Sequence, residues 1–185
     1  MARRYDPGRR QRIIDAAIRV AARDGLAGLS HRTVAAEADV PLGSTTYHFA
    51  TLDELLVAAL CQANEGFAAV LDDSGVLDAG DLADGLARVL GDWLNGDRPG
   101  AELEYELYLA AVRRPALRPV VVQWTEETTA RLSARVDPVT ARALLALMDG
   151  ICLQVLLTGG SYDEEYARQV LGRVIGRGAD SPTGT

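Results

Sequence analysis

Arg10 to Leu60 reads RQRIIDAAIRVAARDGLAGLSHRTVAAEADVPLGSTTYHFATLDELLVAAL, and the alternation of apolar and turn-forming residues along it decides the fold. Ile13, Ala17, Val20 and Ala21 recur at helical spacing between Arg12 and Arg23, and Gly25 is a natural stop. Ser30 then supplies a cap for a short second helix to about Ala38, whose inner face is Val34, Ala35 and Ala38. Asp39-Val40-Pro41 breaks it, and a very short third helix runs from about Leu42 to His48. Thr51-Leu52-Asp53-Glu54 has the S/T-x-x-E form in which a cap and the third residue after it satisfy each other's backbone donors, so a fourth helix opens there. Leu55, Leu56, Ala59, Leu60, Ala63 and Phe67 carry it to about Asp72, where Asp73-Ser74-Gly75 ends it.

Downstream, the periodicity predicts helices over about Ala79 to Asn95, Ala101 to Arg113, Ala116 to Val136, Pro138 to Thr158 and Asp163 to Ile175. The breaks fall at Asn95 to Gly100, Arg114-Pro115, Asp137-Pro138 and Thr158-Gly159-Gly160, all rich in helix-stopping residues. Val120-Val121-Val122 is a β-branched run inside a longer helical pattern, so the fold class is all-α. The expected organisation is a flexible basic arm over 1–9, a small helical domain over 10–50, a larger helical domain over 51–176 and a disordered tail over 177–185.

A chain of 185 residues that is 48% hydrophobic and 24% charged is an ordinary globular composition, which excludes disordered and collagen-like classes. The net charge of −7 is unevenly spread. Residues 1–48 hold eight arginines against five acids, a net +3, so the other 137 residues carry −10. That asymmetry fits either a polyanion-binding end or chance clustering on a solvated surface. No apolar stretch follows the basic N-terminal residues, so no secretory signal is read and the protein is expected in the cytoplasm. The apolar run Ala143 to Leu157 is interrupted by Asp149 and falls short of the roughly 20 residues that span a bilayer. Cys61 and Cys152 stand far apart in apolar runs, a pattern of buried thiols rather than a disulfide framework.

Two short helices joined by a tight turn, following one supporting helix inside the basic part of the chain, form the arrangement of a helix-turn-helix DNA reader. Ser44, Thr45 and Thr46 are small polar side chains suited to base edges, and Gly43 lets backbone approach a phosphate. Pro41 and Leu42 open this helix, and Tyr47 and His48 extend from its far end with donors that suit phosphate oxygens or with rings that pack a small core. Thr33 reads equally as a phosphate contact or a surface threonine. The spacing of Gly25, Leu29, Val34, Ala35, Ala38, Val40, Gly43, Tyr47, His48 and Phe49, followed by Asp53-Glu54-Leu55-Leu56, resembles the DNA-binding region of the TetR family of bacterial transcriptional regulators.

That resemblance implies a homodimer on a palindromic operator, most often a repressor released when a small molecule enters the C-terminal domain. Two positions depart from the family pattern: Pro41 stands where serine is common and Leu52 where lysine is common. The first removes a side-chain cap that proline tolerates at a helix start. The second removes a phosphate contact and flattens the salt dependence by about 0.9 in slope, leaving Arg3, Arg4, Arg9 and Arg10 as sources of affinity.

Trp93, Tyr105, Tyr108, Trp124, Met148 and Cys152 fall on the helices that in this family surround a ligand, and they serve equally as ordinary core. Glu102, Glu104, Glu106 and Asp149 nearby would favour a cationic or hydrogen-bond-donating ligand, although alternating glutamates on a helix point different ways. The helix holding Ala143 to Leu157 is apolar all round, which predicts burial on more than one side. Packing of helices 116–136 and 138–158 against a second copy meets that need, as does a central place within one chain. His31, His48, Cys61 and Cys152 lack ligand spacing, so neither a metal nor a cofactor is expected, and no nucleophile elbow or catalytic set argues for an enzyme. A helix-turn-helix protein governed by a protein partner, with no small-molecule effector, is the competing reading.

Overall fold

The computed structural model describes residues 6–78 and 80–179, leaving aside the side chains of residues 177 and 179. Nine α-helices occur among the described residues: α1 (Arg9–Asp24), α2 (His31–Glu37), α3 (Leu42–His48), α4 (Leu52–Asp73), α5 (Leu82–Gly96), α6 (Arg98–Ala110), α7 (Arg118–Leu132), α8 (Pro138–Thr158) and α9 (Glu164–Ala179). Short 3-10 turns at Leu26–Gly28 and Pro115–Leu117 precede α2 and α7. The third and eighth helices keep the boundaries read from sequence.

Three expectations are corrected. The run Asn95 to Gly100 is no six-residue break, since Asp97 alone separates α5 from α6. Pro99 falls in the first turn of α6, where a missing N–H costs nothing, and the Asp97 carboxylate accepts the Gly100 N–H at 3.1 Å. Arg9 belongs to α1 rather than to a free arm, with Asp6 accepting from the Arg12 guanidinium at 2.6 Å and from the Gly8 N–H at 3.1 Å just ahead of it. At the other end α9 continues through Ala179, so a tail beginning at 177 is not what forms, and 180–185 lie outside the described residues, as do Arg3 and Arg4.

The chain divides into two compact units, residues 1–63 with 102–121, and residues 64–101 with 122–185. The first is built on α1, α2 and α3 together with the start of α4. Its core joins Ile13, Val20, Val34, Phe49, Leu56 and Leu60 to Leu103, Leu107, Ala111 and Leu117. The later segment therefore supplies part of the core of the N-terminal unit. It is tied there by polar contacts as well: Glu106 accepts the Leu26 N–H at 2.9 Å where α1 gives way to the first 3-10 turn, and Arg114 bonds Asp53 at 2.5 Å.

In the second unit α9 packs on α5 and α8, with Leu86, Leu90, Leu94, Leu144, Met148 and Leu171 buried. Tyr162 donates to the Ala87 carbonyl at 2.6 Å, and its half-buried phenol is pushed well above the usual tyrosine range, first by burial and then by neighbouring negative groups. Gly91 lies under that ring, where an added Cβ would come within 2.9 Å of it. The Arg98 guanidinium donates to the Val155 and Gly160 carbonyls at 3.4 and 3.2 Å, which satisfies the C-terminal end of α8.

Candidate functional site

The Ser30 hydroxyl accepts the Thr33 N–H at 3.1 Å, and the Thr33 hydroxyl oxygen accepts the Ser30 N–H at 2.9 Å. This reciprocal cap fixes the start of α2. Thr33 also donates toward the Gly28 carbonyl at 3.1 Å, so its hydroxyl is engaged locally although the residue is exposed. Between α2 and α3 the chain turns through Asp39 at φ +52°, a left-handed conformation that a short polar side chain tolerates, and the Val40 N–H returns to the Ala35 carbonyl at 3.0 Å. α3 opens on Pro41 without a side-chain cap, and the Ser44 N–H donates to the Pro41 carbonyl at 2.7 Å.

The seven residues of α3 divide into two faces. Leu42, Gly43, Thr46 and Tyr47 are exposed, Tyr47 by 77%, and a Cβ placed on Gly43 would meet nothing within 4 Å. Pro41 is exposed beside them. Ser44 and Thr45 face inward, which overturns their assignment as base-edge readers. Thr45 is fully buried, its hydroxyl donates to the Leu42 carbonyl at 2.7 Å, and it lies one helical turn before the buried Phe49. His48 is half-buried with the Tyr47 ring edge-on to it at 5.2 Å.

Arg10, on α1, places its guanidinium over the Phe49 ring at 5.0 Å. Arg10, His48, Thr51 and Asp53 share an open recess of about 310 Å³ beside α3. Its acids are engaged: Asp53 by Arg114, and Glu54 by the Ala50 N–H at 2.8 Å while the Glu54 N–H donates to the Thr51 hydroxyl at 3.2 Å. Donors from Arg10, His48 and Thr51 are thus gathered at one open recess, a grouping that suits an anion. Farther along α1, Arg19 and Arg23 bond Glu37 at 2.8 and 3.0 Å and hold its carboxyl below the usual range, Arg19 foremost. Arg23 also pairs with Asp24 at 3.0 Å, so two acids balance these two arginines and leave little net positive charge for an outside partner.

The six effector candidates are divided between the two units. Tyr105 and Tyr108 belong to the first unit, half-buried, with their rings edge-on to each other at 6.2 Å. Trp93, Trp124, Met148 and Cys152 belong to the second unit. There Phe67, expected only as an apolar position of the fourth helix, lies edge-on to Trp93 at 5.2 Å and to Trp124 at 5.6 Å. Met148 and Cys152 are buried on α8. Of the neighbouring acids, Glu106 is committed to the Leu26 N–H, Glu102 is exposed, and Glu104 and Asp149 are half-buried. Cys61 is exposed on the outer face of α4, contrary to the expectation of a buried thiol. Nothing local in the sequence reveals that these three helices bring their rings together.

Residues 13–59 match the family described as bacterial regulatory proteins, tetR family, and residues 77–177 match the tetracyclin repressor-like C-terminal domain. A crystal structure of the multidrug binding protein EbrR complexed with ethidium is 72% identical, covers 90% of this chain and 98% of its own, and superposes with a TM-score of 0.85. A member of the TetR family from Streptomyces coelicolor A3 is 71% identical, covers 91% of this chain and 99% of its own, and gives a TM-score of 0.86. The nicotine-responsive transcriptional repressor HdnoR of Paenarthrobacter nicotinovorans is 32% identical over 162 residues, 79% of this chain and 82% of that protein. This chain belongs to the TetR family, and it is a ligand-responsive DNA-binding transcriptional regulator.

Proposed function

We propose that the chain is a cytoplasmic repressor that binds a two-fold symmetric operator as a homodimer and leaves it on taking up a flat aromatic cation. The observation that carries the DNA half is the outward face of α3, where Gly43, Thr46 and Tyr47 stand clear of the core. Leu42 contributes apolar contact to a base methyl, Tyr47 and His48 reach phosphate oxygens, and Pro41 and Thr33 border the same surface. The effector half is supported by EbrR, whose structures hold ethidium, proflavin and malachite green, and by the three-ring junction at Phe67, a face on which cationic rings stack. Release is a population shift, which requires the cation to prefer a dimer whose two α3 helices no longer match successive major grooves, roughly 34 Å apart.

The dimer reading rests on α8. One side of it is buried through Thr140, Leu144, Met148, Ile151 and Cys152, while Ala143, Ala146, Leu147, Leu153 and Leu157 form an apolar stripe on the other, with Leu157 77% exposed. Val122 of α7 adds a 53% exposed apolar side chain. An isologous contact between two copies would cover that stripe. Leu157→Glu is expected to give a monomer in sedimentation at micromolar concentration, and an unchanged dimer would move the interface elsewhere.

The function is tested by electrophoretic shift on the DNA flanking the gene, with ethidium added in steps. Expected is a retarded complex that dissociates in the micromolar range of dye and not with an anionic dye of similar size. A complex indifferent to every cation tried would favour control by a protein partner instead.

A further inference from the structure

Among the described residues of the second unit, three side-chain polar atoms are enclosed without a hydrogen-bond partner: Arg168 Nε, which has the Asp84 carboxylate at 3.0 Å, the side-chain carbonyl oxygen of Asn64 and the hydroxyl of Thr128. Asn64 is 9% exposed and Thr128 not at all. Groups of this kind ordinarily find partners, because an orphaned buried acceptor forfeits its hydration for nothing in return. Their positions relate both of them to the aromatic junction. Asn64 precedes Phe67 by three residues on α4, and Thr128 follows Trp124 by four on α7, so each shares a helix face with one of the touching rings.

The direction of the two helices fixes how these atoms are spaced. Phe67 meets Trp124, and farther along Asp72 meets Arg131 at 3.5 Å. Antiparallel helices would separate the second pair by about 18 Å along the axis at 1.5 Å per residue, beyond the reach of the two side chains. α4 and α7 therefore run in the same sense through this region. Asn64 then lies on one side of the Phe67–Trp124 contact and Thr128 on the other, with about seven residues of helical rise, roughly 10 Å, between them.

We infer that Asn64 and Thr128 are the two polar ends of an aromatic effector slot at Phe67, Trp93 and Trp124, and that it takes a flat polycyclic cation carrying an amino group at each end. The inference rests on the aromatic-cation reading given above and adds which atoms recognise the ends of the ligand. Asn64 offers an acceptor, so the group facing it must donate an N–H, and the Thr128 hydroxyl accepts an N–H at the opposite end. The rings between supply stacking surface.

The test compares two acridine dyes with the same ring system and charge: 3,6-diaminoacridine, which has N–H donors at both ends, and its bis(dimethylamino) counterpart, which has none. Binding is followed by fluorescence titration of the full-length protein. Asn64→Leu and Thr128→Val are each expected to weaken the diamino dye about tenfold, with the dimethylamino dye changed less than twofold and Thr128→Ser retaining the preference. The same two apolar variants, without dye, are expected to melt at or above the wild-type midpoint, since an unpartnered polar atom has been removed. A lower midpoint, or equal losses for both dyes, would overturn the assignment. Wild-type protein that binds both dyes equally well would overturn the assignment of Asn64 and Thr128 alone, whereas failure to bind either would overturn the aromatic-cation reading with it.

Discussion

Tyr47→Ala is expected to weaken binding to operator DNA by about ten- to a hundredfold while leaving the melting midpoint of the protein where it was. The side chain is 77% exposed, and the ring contact described for it is the edge of His48, so its loss opens no cavity in the free protein. A residue that reaches DNA by a hydrogen bond and by ring contact carries about 1–3 kcal/mol there. Thr45 supplies the control. It is fully buried and its hydroxyl satisfies the Leu42 carbonyl, so Thr45→Val should cost stability first, and DNA binding only through the fraction left folded. Gel-shift titration beside thermal melts checks both. If Tyr47→Ala binds like wild type, the reading surface does not include the end of α3.

Phe67→Ala is expected to destabilise the protein by about 3–5 kcal/mol, the range for removing a buried phenylalanine. The ring is 6% exposed and contacts Trp93 and Trp124 edge-on, so truncation removes two aromatic contacts and leaves a void between three helices. Urea denaturation measures the loss. Phe67→Leu keeps most of the volume and should recover much of the stability without restoring dye stacking, which separates packing from recognition. A change below about 1 kcal/mol for the alanine variant would contradict the packing of this junction.

Much of this was legible because its determinants are local. The ends of α3 follow from Pro41 and from Phe49, which leaves the helix to enter the core, and α8 is bracketed by Asp137-Pro138 and Gly159, the first accepting the Val139 and Thr140 N–H groups at 3.0 and 3.1 Å and the last left-handed at φ +66°. Residues that stop helices in isolation misled where a neighbour satisfied the backbone. Pro99 and Gly100 stand inside α6 because Asp97 caps it. Polar character misled at Thr45, whose hydroxyl bonds its own helix and so can be buried without loss. The meeting of Phe67, Trp93 and Trp124 depends on contacts across tens of residues, which periodicity does not encode.

The N-terminal unit draws Leu103, Leu107, Ala111 and Leu117 into its core from far along the chain. Specificity swaps between relatives are commonly imagined as a cut and a splice at one point in the gene. Here such a chimera, joined after residue 63, would pair one parent's head with the other parent's plug, and its leucines would have to fit a foreign socket. Grafting a relative's N-terminal unit onto this sensor therefore calls for exchanging two segments together, the head and the residues 102–121 that plug it.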